Sequence, residues 1–140
     1  MKYWDSSAIV SVLIREESTA ALRALRDKDP HMTVWCLTPV EIASALARRS
    51  REGLPADQDK AIRAAWSVLS ERWEEVSALE LVRSRALRLI NTHPIRAGDA
   101  LQLAAALIAC DDRPDALPFV SLDDRLRDAA RKEGFPVLPS

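Results

Sequence analysis

The sequence predicts an α/β sandwich with a mainly parallel central sheet, folded as one domain over residues 1–140. Three observations predict it. Short β-branched or aromatic segments alternate with segments of helical period along the whole chain. A length of 140 residues suits a single domain that buries its own core without disulfide or metal staples. Apolar residues at 48% and charged residues at 29% give the balance of a globular protein, and three glycines and eight prolines leave no low-complexity tract.

Taken in order, Lys2 to Trp4 reads as a short first strand ending at Asp5. Ser6 to Arg15 carries Ala8, Ile9, Val12 and Leu13 at helical spacing. Glu17 to Asp27 repeats the pattern with Ala21, Leu22 and Leu25, and Asp29-Pro30 breaks it. Met32 to Leu37 is an apolar run suited to a buried strand. Thr38-Pro39-Val40-Glu41 has the form of a helix start, with threonine as cap, proline in the first turn and glutamate closing a capping box. That helix runs to about Arg51 and stops at Gly53-Leu54-Pro55. Asp57 to Glu74 reads as a long amphipathic helix with Ile62, Ala65, Trp66, Leu69 and Trp73 on one side. Glu75 to Ser77 suits a connecting strand and Leu79 to Asn91 another helix. Arg96 to Ala109 is the most apolar helix. Phe119 to Ser121 is a strand, Asp123 to Lys132 a helix, and Phe135 to Leu138 a closing edge strand.

A formal net charge of −1 argues against attachment to nucleic acid by bulk charge, which requires many phosphate contacts; a local basic surface stays open. The apolar stretch Ala100 to Ala109 is too short to span a bilayer. Asp5 and the run Arg15-Glu16-Glu17 break any signal-peptide pattern, so a cytoplasmic protein with no membrane association is expected. Cys36 and Cys110 are expected as buried free thiols. No Cys/His spacing suggests zinc, and His31 and His93 read as isolated loop or surface residues.

In parallel α/β sheets ligands bind outside the carboxyl ends of the strands. Asp5, Glu41 and Asp123 each fall just past a predicted strand, so three acids meet one sheet edge. Each has a structural alternative. Asp5 could cap its helix, Glu41 could serve only the capping box, and Asp123 and Asp124 could be first-turn acids favouring the helix dipole. Asp99 opens an otherwise apolar helix, where a buried carboxylate needs a partner or a cation. If the four converge, repulsion between neighbours about 4 Å apart is about 4 kcal/mol at an effective dielectric near 20. Either some carboxyls stay protonated or a divalent cation is held. Oxygen-only ligands favour Mg²⁺ or Mn²⁺, a chemistry suited to phosphodiester hydrolysis. No Ser-His-Asp or Cys-His pattern and no glycine-rich phosphate loop is present.

Four stretches carry a family resemblance: Tyr3-Trp4-Asp5-Ser6-Ser7-Ala8, Thr38-Pro39-Val40-Glu41-Ile42-Ala43-Ser44-Ala45, Arg96-Ala97-Gly98-Asp99-Ala100-Leu101-Gln102-Leu103-Ala104 and Phe119-Val120-Ser121-Leu122-Asp123-Asp124-Arg125-Leu126. In this order and at these intervals they resemble the motifs of PIN-domain proteins, most closely the VapC toxins of toxin–antitoxin pairs. The resemblance implies a PIN-like three-layer α/β/α sandwich and a ribonuclease in which Asp5, Glu41, Asp99 and Asp123 bind Mg²⁺ or Mn²⁺. It implies that Ser6 and Ser121 support the cluster by hydrogen bonds and that Asp124 is an adjacent supporting acid. It also implies an RNA substrate, a homodimer, and a cognate antitoxin lying between the first helices and the Thr38 helix with a basic residue near the acids. Gly98 and Trp4 depart from the family's usual residues without removing an acid.

Arginine outnumbers lysine sixteen to four, and its planar fork suits phosphate. Arg48, Arg49, Arg51 and Arg96 are the candidates for RNA contact, with complementation of the helix C-terminus as the competing role for the first three. Trp66 and Trp73 read as core or dimer contacts. Two alternatives to a toxin are a PIN-domain RNA-processing nuclease without an antitoxin and a non-catalytic RNA-binding module.

Overall fold

The computed structural model describes residues 1–140. Its elements in chain order are β1 (Lys2–Trp4), α1 (Ser6–Leu13), α2 (Thr19–Lys28), β2 (Met32–Trp35), α3 (Thr38–Arg51), α4 (Ala56–Ser70), β3 (Glu74–Val76), α5 (Leu79–Thr92), α6 (Ala97–Ala109), β4 (Phe119–Val120), α7 (Asp124–Lys132) and β5 (Val137–Leu138). One sheet holds all five strands in the order β3-β2-β1-β4-β5, and every pairing in it is parallel.

Successive strand residues point to opposite faces, and this alternation divides the interior in two. Tyr3, Trp35 and Phe119 face Val82, Ala86 and Leu89 of α5, the alanine-rich side of α6, and Leu126 and Ala130 of α7. Trp4, Val34 and Val120 face Ala8, Ile9 and Val12 of α1, Leu22 of α2, and Ile42 and Leu46 of α3. Helices thus cover both faces of the sheet, which is why the central strands β2, β1 and β4 are buried on both sides. Tyr3 and Phe119 stack across neighbouring strands with centroids 5.3 Å apart. α4 lies outermost: it has no buried residue, and Ile62, Trp66 and Leu69 only rest against the second core.

The α4 helix ends at Ser70, four residues before the predicted Glu74, so Trp73 lies outside it. The cause is the pairing of Glu74–Val76 with β2, which takes those residues into the sheet; Trp73 instead donates its indole N–H to Glu75 at 3.0 Å. His93, expected at the surface, is buried and lies 2.6 Å from a Glu133 oxygen. Cys36 and Cys110 are free and half-buried. No helix is long and apolar enough to cross a membrane.

The strand order positions the site. From β1 the chain moves outward to β2 and β3, then crosses to the other side of β1 for β4 and β5. Loops leaving β1 and β4 therefore separate in opposite directions and open a crevice at their carboxyl ends.

Candidate active site

Asp5 leaves β1 into this crevice and is 4% exposed. Its Oδ2 accepts hydrogen bonds from Ser7 Oγ at 2.6 Å and Ser121 Oγ at 2.9 Å. Both hydroxyls are themselves fixed, since Ser7 Oγ accepts from Leu122 N at 3.0 Å and Ser121 Oγ accepts from Asp123 N at 3.1 Å. The β1 and β4 loops are thereby tied together around one carboxyl. Burial pushes the Asp5 pKa up from 3.8 to about 6; the Ser7 and Ser121 hydrogen bonds oppose the rise, and the charges of Glu41 and Asp99 add to it.

Glu41 stands in the first turn of α3. The expected capping box does not form. Leu37 is the cap residue and no side chain caps the helix, because Thr38 is fully buried and its hydroxyl accepts from Gln102 Nε2 at 3.0 Å. Glu41 instead turns to the crevice: its Oε2 accepts from Ser6 Oγ at 3.0 Å, and its Oε1 accepts from Gln102 Nε2 at 2.7 Å. Gly98 lies beside it, where an added Cβ would meet Glu41 Oε2 at an ordinary 3.9 Å.

Asp99 is half-buried in the first turn of α6 and accepts from Arg96 N at 3.2 Å, so it does serve its own helix start. Burial pushes its pKa up, and the Asp123 charge adds to the rise, while Arg96 and Arg125 act against it. Asp123 is the cap of α7 rather than its first helical residue, with Oδ1 accepting from Leu126 N at 2.9 Å.

All four acids line a single cleft of about 800 Å³, together with Ser6, Ser7, Arg48 and Arg96. A smaller recess of about 350 Å³ adjoins it, lined by Arg96, Asp99, Asp123, Asp124 and Arg125; Asp124 belongs to this recess alone. Arg49 lines neither and pairs with Glu16 at 3.3 Å. Sequence reasoning misses Ser7, Gln102 and Arg125 as site residues. All three sit inside motif stretches, but nothing local separates Gln102 from the other positions of a buried helix.

No three His, Cys, Asp or Glu side chains lie close enough together to hold one ion. The donor set nonetheless fits a hard divalent cation. It consists of oxygen alone, and four acids lining one cleft around a buried carboxyl, whose pKa burial raises and the charges of Glu41 and Asp99 raise further, are a condition that a cation relieves.

Residues 2–132 match the family model of the PIN domain. Among solved structures, FitAcB from Neisseria gonorrhoeae is similar at a TM-score of 0.66 and 15% identity, over 99% of this chain and 97% of that one; at that identity the likeness speaks for the fold. Comparison with curated protein sequences gives no match.

Proposed function

Because the chain belongs to the PIN-domain family, whose members are nucleases, we propose that it is a Mg²⁺- or Mn²⁺-dependent endoribonuclease that hydrolyses RNA phosphodiester bonds as the toxin of a toxin–antitoxin pair. One observation carries the reading: Asp5, Glu41, Asp99 and Asp123 line one cleft at the carboxyl edge of the sheet. These four would hold the cation, which when bound acidifies water and offsets charge developing on the phosphoryl oxygens.

The chain's own residues do the rest. Ser7 and Ser121 fix Asp5, and Ser6 with Gln102 fixes Glu41, so the acids are oriented before substrate arrives. Arg48 and Arg96 stand on the cleft wall and Arg125 on the adjoining recess, where guanidinium groups can take the phosphates flanking the scissile bond. Basic residues around an acidic floor reconcile phosphate binding with a net charge of −1. The cleft runs between α1 and α3, with the exposed Val40 on its wall. That supports occupancy by an antitoxin segment whose basic residue offsets the acids, and the four motifs' similarity to VapC toxins supports both the antitoxin and a homodimer.

The test is incubation of purified protein with total cellular RNA in Mg²⁺, in Mn²⁺ and in EDTA, beside the Asp99→Asn variant. Cleavage that needs metal and disappears in the variant is expected. Cleavage in EDTA, or an active variant, would refute the assignment.

A further inference from the structure

Gln102 is 1% exposed, on a helix whose neighbouring positions Ala100, Leu103, Ala104, Ala105 and Ala106 are fully buried and apolar. Burying an amide among them is unfavourable unless its hydrogen bonds are met. They are met by three contacts. Its Oε1 accepts from Tyr3 Oη at 2.6 Å, and its Nε2 donates to Thr38 Oγ1 at 3.0 Å and Glu41 Oε1 at 2.7 Å. These contacts use both amide hydrogens and the carbonyl.

The amide is oriented with its NH₂ toward Glu41 Oε1 and Thr38 Oγ1 and its carbonyl toward the Tyr3 hydroxyl. Tyr3, fully buried and stacked on Phe119, presents its hydroxyl as donor. A chain of contacts thus runs from the rigid sheet, through Tyr3 and Gln102, to one oxygen of Glu41. Asp99 and Gln102 are three residues apart on α6 and so lie on neighbouring positions of one helix face. The same helix that brings one acid to the cleft therefore restrains a second acid carried by α3.

We infer that Gln102 is a positioning residue of the site: anchored by Tyr3, it holds the Glu41 carboxylate in the orientation from which it binds the cation. The inference rests on the metal-dependent reading above and names a residue outside the acids and hydroxyls of the motifs. Partners that orient a metal ligand typically change metal affinity 10- to 100-fold when removed.

The experiment titrates Mn²⁺ by calorimetry into the wild-type protein, Gln102→Met and Tyr3→Phe, and follows thermal denaturation of each in EDTA. Methionine keeps the buried volume and loses both donors. Gln102→Met is expected to weaken Mn²⁺ binding about 10- to 100-fold, and Tyr3→Phe to weaken it less, in the same direction. Unchanged Mn²⁺ affinity, with only a lower denaturation midpoint, would show a packing residue and overturn the inference. Should Gln102→Met not fold, Tyr3→Phe decides alone by the same criterion. A wild-type protein that binds no Mn²⁺ would refute the metal reading instead. A metal-free cycle of Gln102→Met with Glu41→Ala then decides the contact: non-additive midpoints sustain it and additive ones overturn it.

Discussion

Replacing Asp5 with asparagine should stabilise the metal-free protein, and should do so only above the acid range. The Asp5 carboxyl is buried, with its pKa at about 6 against an ordinary 3.8. A carboxyl whose pKa is higher folded than unfolded holds its proton longer in the folded state, so stability falls as pH rises through the window between about 4 and 6. At about 1.4 kcal/mol per pH unit, that gap costs the metal-free fold about 3 kcal/mol at pH 7.5. Asparagine has the same shape, can still accept from Ser7 and Ser121 with its one oxygen, and carries no charge. Allowing for relaxation around the amide, a gain of about 1–3 kcal/mol is expected, or roughly 3–9 °C in Tm for a chain of this size. The assay is thermal denaturation of both proteins in EDTA from pH 4 to pH 8. The curves should converge near pH 4 and separate by pH 7. Mn²⁺ at one hundred times its dissociation constant should close most or all of this gap, because it adds about 2.7 kcal/mol to the form that binds it. A gap constant across the pH range, or a less stable variant at pH 7.5, would refute the view that Asp5 is held at an electrostatic cost.

Two further outcomes concern the frame around the site. Arg127 donates to the carbonyls of Ser121, Leu138 and Pro139, so Arg127→Ala should cost about 2–3 kcal/mol and speed amide exchange at Ser121, whose N–H bonds Leu138; unchanged protection there would contradict it. Burial pushes the Glu133 carboxyl up, but Arg88 and His93 outweigh it and hold the pKa below the usual range, so its contribution is present at neutral pH and lost as pH falls through the folded pKa. Glu133→Gln should therefore destabilise by about 1.5–3 kcal/mol at pH 7, with the difference closing in acid; a pH-independent deficit would point to packing alone.

The layered architecture was legible in the sequence because β1, β2, β4 and β5 lie in short, largely apolar segments bounded by helix-period runs, and the acids Asp5, Glu41 and Asp123 could be placed at one sheet edge by counting residues past each strand. Less legible was what each acid does locally. Thr38-Pro39-Val40-Glu41 has the composition of a capping box, yet Thr38 and Glu41 both turn to Gln102, a partner more than sixty residues away. His93 likewise finds its partner in Glu133, forty residues on. Such pairings are set by how helices cross, which no local spacing encodes. Asp99 shows the converse, since its cap contact with Arg96 N is local and coexists with its place in the cleft. Among the candidate arginines, Arg48 and Arg49 are adjacent in sequence, but a helix separates neighbours by about 100°, which leaves Arg48 on the cleft and Arg49 against Glu16.

The two ends of the sheet bear on how this molecule meets other chains. β5 is two residues long, between Pro136 and Pro139, and β3 is three residues long with Glu74 and Glu75 exposed. Short strands, flanking prolines and acidic side chains all discourage a further strand from pairing at an edge. Fibrous stacking of copies through their sheets is thus disfavoured even at high concentration, and so is recruitment of a partner as a sixth strand. A partner chain is thus expected to engage side chains of the helices and loops rather than to add a strand.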